Sequence, residues 1–398
     1  MDKETLSHYG WLVVVVIILS IVITFTTPFG KYIASGASSV LKSFSKTVDV
    51  DVDSTELDAA SGKVVILEGK DSVIDLTKGA SFAFRSSADV ETFKGVKVDS
   101  SVVSSSNYTV TSGSTIITFT KEYAATLSRG NHTVEIISSG GTAVADFFVG
   151  YFVQDDAIYV NASGQVLTAG KLIPEAPTTG DTFTYGDYEY TYDASKGGWM
   201  VVVLDKTKAK YGEILTNING ANITALISTF DGCSALTSEG VPSIPNTVTD
   251  MQKTFAKCSS LVDASKIVIP ERVTNLFGAF STCANLTTPP DLSKATSVKN
   301  MSWMFTACSK LATAPVIPES ATNLHGCFNI CTSLTSAPII PQEAVTLGNL
   351  FYKCSALSGK LTINSSPTAY VNCITGTQIT EIVGDCPDDI KTQIMATK

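Results

Sequence analysis

The chain has 398 residues, of which 44% are hydrophobic and 16% charged, with a formal net charge of −9. At about 150 residues per domain this length allows two or three domains, and a charged fraction below the ~25% of an average soluble protein points to a Ser-, Thr- and Val-rich β and repeat architecture. No Lys/Arg surplus exists to neutralise phosphates, which excludes a strongly basic nucleic-acid binder, and three scattered histidines (His8, His132, His325) speak against a histidine-rich metal site.

No charged residue occurs between Glu4 and Lys31, and Trp11 to Phe25 is broken only by Ser20 and Thr24. With its aromatic flanks, Tyr9 to Phe29 matches the ~20 residues a helix needs to cross a bilayer. Tyr9, Trp11, Phe29 and Tyr32 suit interfacial positions, and Pro28 and Gly30 fall where the helix would end. The expectation is a single-pass anchor over residues 1–33. Lys31, Lys42 and Lys46 after the segment, against Lys3 before it, favour the C-terminal side inside, although long domains translocate largely regardless of flanking charge. The outside placement of the large C-terminal part rests on the repeat resemblance given below. A cleaved signal peptide and a buried core segment are the alternatives. The sequence Met1-Asp-Lys-Glu4 lacks the basic start of a signal peptide. Gly10-Trp11 also resembles a type IV prepilin processing site, but Val15 stands where that family has glutamate.

Residues 34–61 read as a juxtamembrane linker. Its Asp49, Asp51 and Asp53 alternate with valines; they read as a solvated acidic stretch, with Ca²⁺ binding as the alternative. From 62 to 150 come short β runs: Val64–Leu67, Phe82–Phe84, Val96–Val98 and Thr115–Phe119. The run Asn107–Phe119, followed by Tyr123, Leu127, Gly130–Val134 and Phe147–Val149, resembles bacterial immunoglobulin-like modules. That resemblance implies a β-sandwich with Tyr108, Ile116, Tyr123, Leu127, Val134 and Phe147 in its core. His132 reads as structural.

Residues 151–220 read as a small β domain that caps the repeats. Asp181–Tyr192 alternates aromatic and polar residues around a turn at Gly186-Asp187, and Gly198–Leu204 is the next strand. Phe183, Tyr185, Tyr188, Tyr190, Tyr192 and Trp199 pair across strands in this reading; a carbohydrate platform is the other one.

The strongest signal lies between 221 and 358. A frame Phe-x-x-Cys-x-x-Leu recurs six times: Phe230/Cys233/Leu236, Phe255/Cys258/Leu261, Phe280/Cys283/Leu286, Phe305/Cys308/Leu311, Phe328/Cys331/Leu334 and Phe351/Cys354/Leu357. Four residues before each Phe stands Leu226, Met251, Leu276, Met301, Leu324 or Leu347. Spacings of 4, 3 and 3 predict one face of a short helix. The pairs Ile244-Pro245, Ile269-Pro270, Ile317-Pro318 and Ile340-Pro341 predict one strand and a turn per unit. Such a unit buries its apolar face only by stacking, as in a solenoid. Residues 359–398 lose the frame and read as a C-terminal cap.

The segment Ile269-Pro-Glu-Arg-Val-Thr-Asn-Leu-Phe-Gly-Ala-Phe-Ser-Thr-Cys-Ala-Asn-Leu286 resembles the BspA-type bacterial leucine-rich repeat. The resemblance implies an extracytoplasmic surface protein, with adhesion to host proteins or other cells in some members. The third unit departs from it, carrying Pro289-Pro-Asp-Leu292 in place of an Ile-Pro pair.

Neighbouring helices would pack ~8–10 Å apart, too far for rung-to-rung disulfides, so the repeat cysteines are expected as free buried thiols. Cys373 and Cys386, outside the frame, could pair in an oxidising compartment. No phosphate loop, GxSxG elbow, HExxH or dinucleotide fingerprint occurs. The expected whole is multidomain: transmembrane helix, immunoglobulin-like β-sandwich, small β domain and α/β leucine-rich-repeat solenoid. Its expected partners are a membrane through the N-terminal helix and a protein or glycan on the repeats, with no nucleic acid, cofactor, metal or catalytic residue. The alternative is a structural subunit of a pilus, appendage or phage fibre.

Overall fold

The computed structural model describes residues 63–112, 114–173 and 175–398. The expected transmembrane helix and linker (1–33 and 34–61) lie outside these residues, as do His8 and the three linker aspartates. Among the described residues no helix is long and apolar enough to cross a membrane. Two compact units divide between Phe152 and Val153.

The first unit places two sheets around one apolar core. One sheet runs Ile66–Glu68, Phe82–Ser86, Thr115–Phe119, Tyr108–Thr111, all antiparallel. The other pairs Gly141–Phe152 with Gly130–Ser138, then Phe93–Val98 and Ser101–Val102, and Val73–Asp75 joins Gly141–Phe152 in parallel. Phe82 stacks on Phe119 at 4.7 Å, and Phe84, Ile117, Val134 and Phe147 fill the centre. Tyr108, Tyr123 and Leu127 are partly buried and pack against this core. Ile116, expected inside, is half-exposed, and Ile117 takes the core place. The reason is the two-residue period: Phe119 points inward, so Ile117 and Thr115 follow it. His132 is buried; Nδ1 lies 2.6 Å from Asp99 Oδ2 and Nε2 2.9 Å from the Ser128 carbonyl.

The second unit opens with a seven-stranded sheet. Its order is Val166–Thr168, Ile158–Val160, Thr182–Tyr185, Tyr188–Asp193, Gly198–Val203, Ala221–Ala225, Asn217–Ile218. The hairpin turns at Gly186-Asp187, with Gly186 left-handed at φ 58°. The aromatic platform reading fails here. Phe183, Tyr188, Tyr190 and Trp199 are buried, and the Trp199 indole donates to the Ile218 carbonyl at 2.9 Å.

Gly198–Val203 pairs in parallel with Ala221–Ala225, and Ala225 then bridges in parallel to Asp250. The sheet thereby turns into a solenoid without a break. A single column of parallel bridges continues through Asn275, Asn300, Asn323, Thr346 and Ala369. One apolar core runs from Val153 to Ile394.

The expected α/β solenoid is corrected by the structure, which is mostly β and turn. Among the described residues the α-helices are Lys121–Ala124 and Asp388–Met395, neither in the repeats. The Phe-x-x-Cys segments are successive turns. Two residues per rung explain this. The second residue before each Phe (Ser228, Lys253, Gly278, Trp303, Gly326, Asn349) and the second after it (Gly232, Lys257, Thr282, Ala307, Ile330, Lys353) have φ between 54° and 80°. A left-handed residue every fourth position cannot continue a right-handed helix.

The frame leucines carry the same correction. Leu236, Leu261, Leu286, Leu311, Leu334 and Leu357 were expected on a helix face with Phe and Cys. Each instead closes a tight turn, its N–H donating to the carbonyl of the frame cysteine three residues back, at 3.0–3.2 Å. A helix would reach four residues back, so the three-residue spacing of Cys and Leu belongs to a turn.

In the turn segment, alternate N–H groups bond to the next rung, while those between them close turns within their own rung, as Ala256 to Lys253 and Cys258 to Phe255 do at 3.1 and 3.3 Å. Met251, Lys253, Phe255 and Lys257 donate their N–H groups to the carbonyls of Asn275, Phe277, Ala279 and Ser281 at 2.8–2.9 Å. The same four bonds recur at every step, down to Leu347, Asn349, Phe351 and Lys353 on Ala369, Val371, Cys373 and Thr375. Residues 369–376 thus follow the repeat path without its Phe, and Ile374 fills that place. The helix Asp388–Met395 then contributes Ile394 to the end of the core.

The six phenylalanines form one column, with neighbouring centroids 5.2–5.7 Å apart and planes within 22°. Removing a middle ring opens a cavity shared by two interfaces. Phe280→Ala should cost about 3–5 kcal/mol, measured as a lower denaturant midpoint for the second unit, and Phe280→Leu clearly less.

Candidate partner-binding face

The eighteen repeat residues named from the sequence all lie in the core. Phe230, Phe255, Phe280, Phe305, Phe328 and Phe351 are at most 1% exposed. Cys233, Cys258, Cys283, Cys308, Cys331 and Cys354 are fully buried, as are Leu236, Leu261, Leu286, Leu311, Leu334 and Leu357. They support the site from beneath and are out of a ligand's reach.

The nine cysteines are unpaired and buried, Cys373 and Cys386 included. Each frame thiol from the second rung on donates to the Phe carbonyl of the preceding rung. These bonds run from Cys258 to Phe230, Cys283 to Phe255, Cys308 to Phe280, Cys331 to Phe305 and Cys354 to Phe328, at 2.9–3.2 Å. In the first rung Cys233 Sγ lies 3.3 Å from the Tyr211 hydroxyl. Cysteine therefore does more than fill space: it is small, apolar and carries the donor that ties two rungs together. Burial pushes the Cys283 and Cys354 thiols up to about 12, so they keep the proton they donate.

A second ladder sits where the parallel bridges run. Asn275 Nδ2 donates to Asp250 Oδ1 at 2.9 Å, and Asn300 Nδ2 to Asn275 Oδ1 at 3.1 Å. Each Oδ1 also accepts the N–H two residues on, from Gln252, Phe277, Ser302 and His325 for Asp250, Asn275, Asn300 and Asn323. Lys196 closes the first end with an ion pair to Asp250 at 3.1 Å. The sequence reasoning missed this column, although Asn or Asp stands at the same frame position in four consecutive units.

The ladder fixes the residues beside it, and these face outward. Phe277, Trp303, His325 and Tyr352 are half-buried on the turn face. Each of two rings rests on a glycine of the next rung. A Cβ at Gly326 would meet the Trp303 ring at 2.5 Å, and one at Gly348 would meet His325 Nδ1 at 2.7 Å. Trp303 and His325 touch edge to face at 5.0 Å. Lys253 lies over Phe277 at 5.8 Å and Lys353 over Tyr352 at 5.1 Å. This surface is aromatic and partly cationic. It offers ring faces and ring-edge donors, and its backbone is held from rung to rung. Among the described residues no group of three or more His, Cys, Asp or Glu could hold a metal ion.

Native thiols should resist iodoacetamide at pH 8, with alkylation rising only along the unfolding curve; fast labelling of the folded chain would refute the burial. Ile330 is a β-branched residue in the left-handed region, so Ile330→Asn should stabilise the solenoid by about 1 kcal/mol, read as a higher Tm.

No family model matches the chain, and no curated protein matches it. Among solved structures, it is similar to the crystal structure of a T. pallidum leucine-rich-repeat protein, with 21% identity, over 53% of this chain and 93% of that one, at a TM-score of 0.38.

Proposed function

We propose that this chain is a surface-displayed leucine-rich-repeat protein of the BspA type, which binds a protein or glycan through the turn face of its solenoid. The observation that carries the reading is the set of half-buried rings Phe277, Trp303, His325 and Tyr352, of which Trp303 and His325 touch, held on a backbone bonded from rung to rung. Rings fixed in place lose little conformational entropy on binding, which is why Tyr and Trp dominate binding hot spots. The Phe-x-x-Cys-x-x-Leu frame and the 23–25-residue rungs support the family reading, and the two-sheet unit supports an immunoglobulin-like spacer. The proposed role is binding: the rings and lysines of the face supply contacts and charge.

Protease shaving of intact cells tests the placement: the repeat region is released or cut, and its full protection contradicts surface display. Binding is read on immobilised glycans and extracellular-matrix proteins. Trp303→Ala should weaken the retained partner about tenfold or more while leaving the Tm of the solenoid nearly unchanged. Equal binding by the wild type and this variant removes the face from the reading.

A further inference from the structure

A separate groove of about 710 Å³ runs along the flank of the first three rungs, between the segments around Val241–Asn246 and Lys266–Arg272 and up to Lys294. It is distinct from the ring-bearing turn face. We infer that this groove takes an extended acidic peptide segment of a partner protein, which adds as a strand to the free backbone edge at Val268.

Three observations converge. The first is the backbone. Val268 bridges in parallel to Asp291, and the bond on that side is made by Ile269 N–H to the Asp291 carbonyl. In a parallel ladder the bridged residue's own N–H and C=O then point the opposite way, toward the first rung. Among the described residues, no bridge or backbone hydrogen bond joins Pro242–Asn246 to Lys266–Pro270. The prolines explain the gap: Pro242, Pro245 and Pro270 have no N–H to offer a ladder. Val268 is also 43% exposed, although it is an apolar residue in extended chain.

The second observation is charge. Lys266, Arg272 and Lys294 line the groove against one acid, Glu271. Lys266 is engaged by Glu239 at 2.6 Å. Among the described residues no ion pair involves Arg272 or Lys294. Asp263 lies near Lys266 and Asp291 near Lys294, so Arg272 and Lys294 act as the groove's two cations without an ion pair, open to the carboxylates of a ligand.

The third is the apolar part of the wall, Val241, Ile244 and Val268. A peptide strand presents alternate side chains to opposite sides. A segment that alternates carboxylates with small apolar residues meets both features, and its main chain supplies the bonds that Val268 lacks. An acidic glycan would satisfy the cations but has no backbone ladder to complete.

The test uses the full chain and a fluorescein-labelled octapeptide of alternating valine and aspartate. The expected result is saturable binding that weakens about tenfold or more in the double variant Arg272→Glu, Lys294→Glu, with slowed hydrogen exchange of the Val268 amide in the complex. Trp303→Ala leaves this affinity unchanged, so the groove and the turn face fail or succeed separately. Both substituted cations are exposed, and an unchanged Tm shows that the variant is folded. The inference is overturned if the octapeptide does not bind, if the double variant binds it equally, if the Val268 amide exchanges at its free rate in the complex, or if an acidic oligogalacturonate binds more tightly than the peptide.

Discussion

The solenoid rests on one backbone constraint: two left-handed residues in each rung, four positions apart, with alternate N–H groups turned out of the rung and toward its neighbour. A helix satisfies its N–H groups within itself. Here the N–H groups of Phe255 and Lys257 are satisfied only because Ala279 and Ser281 lie one rung away. A buried amide without a partner is costly, so no rung is stable alone, and the cooperative unit is the pair of neighbours. This is the nearest-neighbour energetics of repeat proteins in an unusually direct form. Left-handed Thr282 and Ile330 are tolerated because the four bonds to the next rung fix their backbone from outside.

The side chains obey the same geometry. Stacked Phe rings fill the space between rungs, and each cysteine thiol reaches back to the preceding Phe carbonyl. Replacing the thiol by a methyl would keep the apolar contact and lose the donor. The two ends of the stack are closed differently. At the start, Ala221–Ala225 belongs both to the seven-stranded sheet and to the first bridge of the column, so the core of Trp199 and Tyr190 continues into that of Phe230. At the other end, the strands Ser358–Thr362 and Gln378–Val383 pair in parallel, and a short helix lays Ile394 over the last rung.

The turn face is a by-product of this constraint. Phe277, Trp303, His325 and Tyr352 are each a left-handed residue or the one before it and are half-buried, whereas Ser302 and Ala256 at such positions are buried. The Asn ladder then sets the positions of Phe277 and His325 through their own N–H groups. The side chains at these positions differ from rung to rung while the frame Phe, Cys and Leu beneath them stay the same. The flank carrying Val268 shows the opposite case. There prolines interrupt the ladder, and the backbone is left with bonding capacity that the fold does not use.

The spacing of Phe, Cys and Leu determined by itself that there are stacked units, where they begin, and which residues share the core, because an apolar pattern at a fixed period has only one efficient burial. It did not determine the local conformation. Spacings of 4, 3 and 3 fit a helix and a chain of turns alike, and the glycines that mark the left-handed positions, Gly232, Gly278 and Gly326, alternate with lysine, threonine, tryptophan and isoleucine that give no such sign. Ile116 and Ile117 show the same limit at smaller scale: adjacent apolar residues leave the register open until Phe119 meets Phe82 across the strands. The ladder of Asp250, Asn275, Asn300 and Asn323, the seventh rung at 369–376, and the set of half-buried rings were decided only by tertiary structure. Each depends on hydrogen bonds between residues about 23 to 25 positions apart, a distance along the chain over which local sequence preference carries no force.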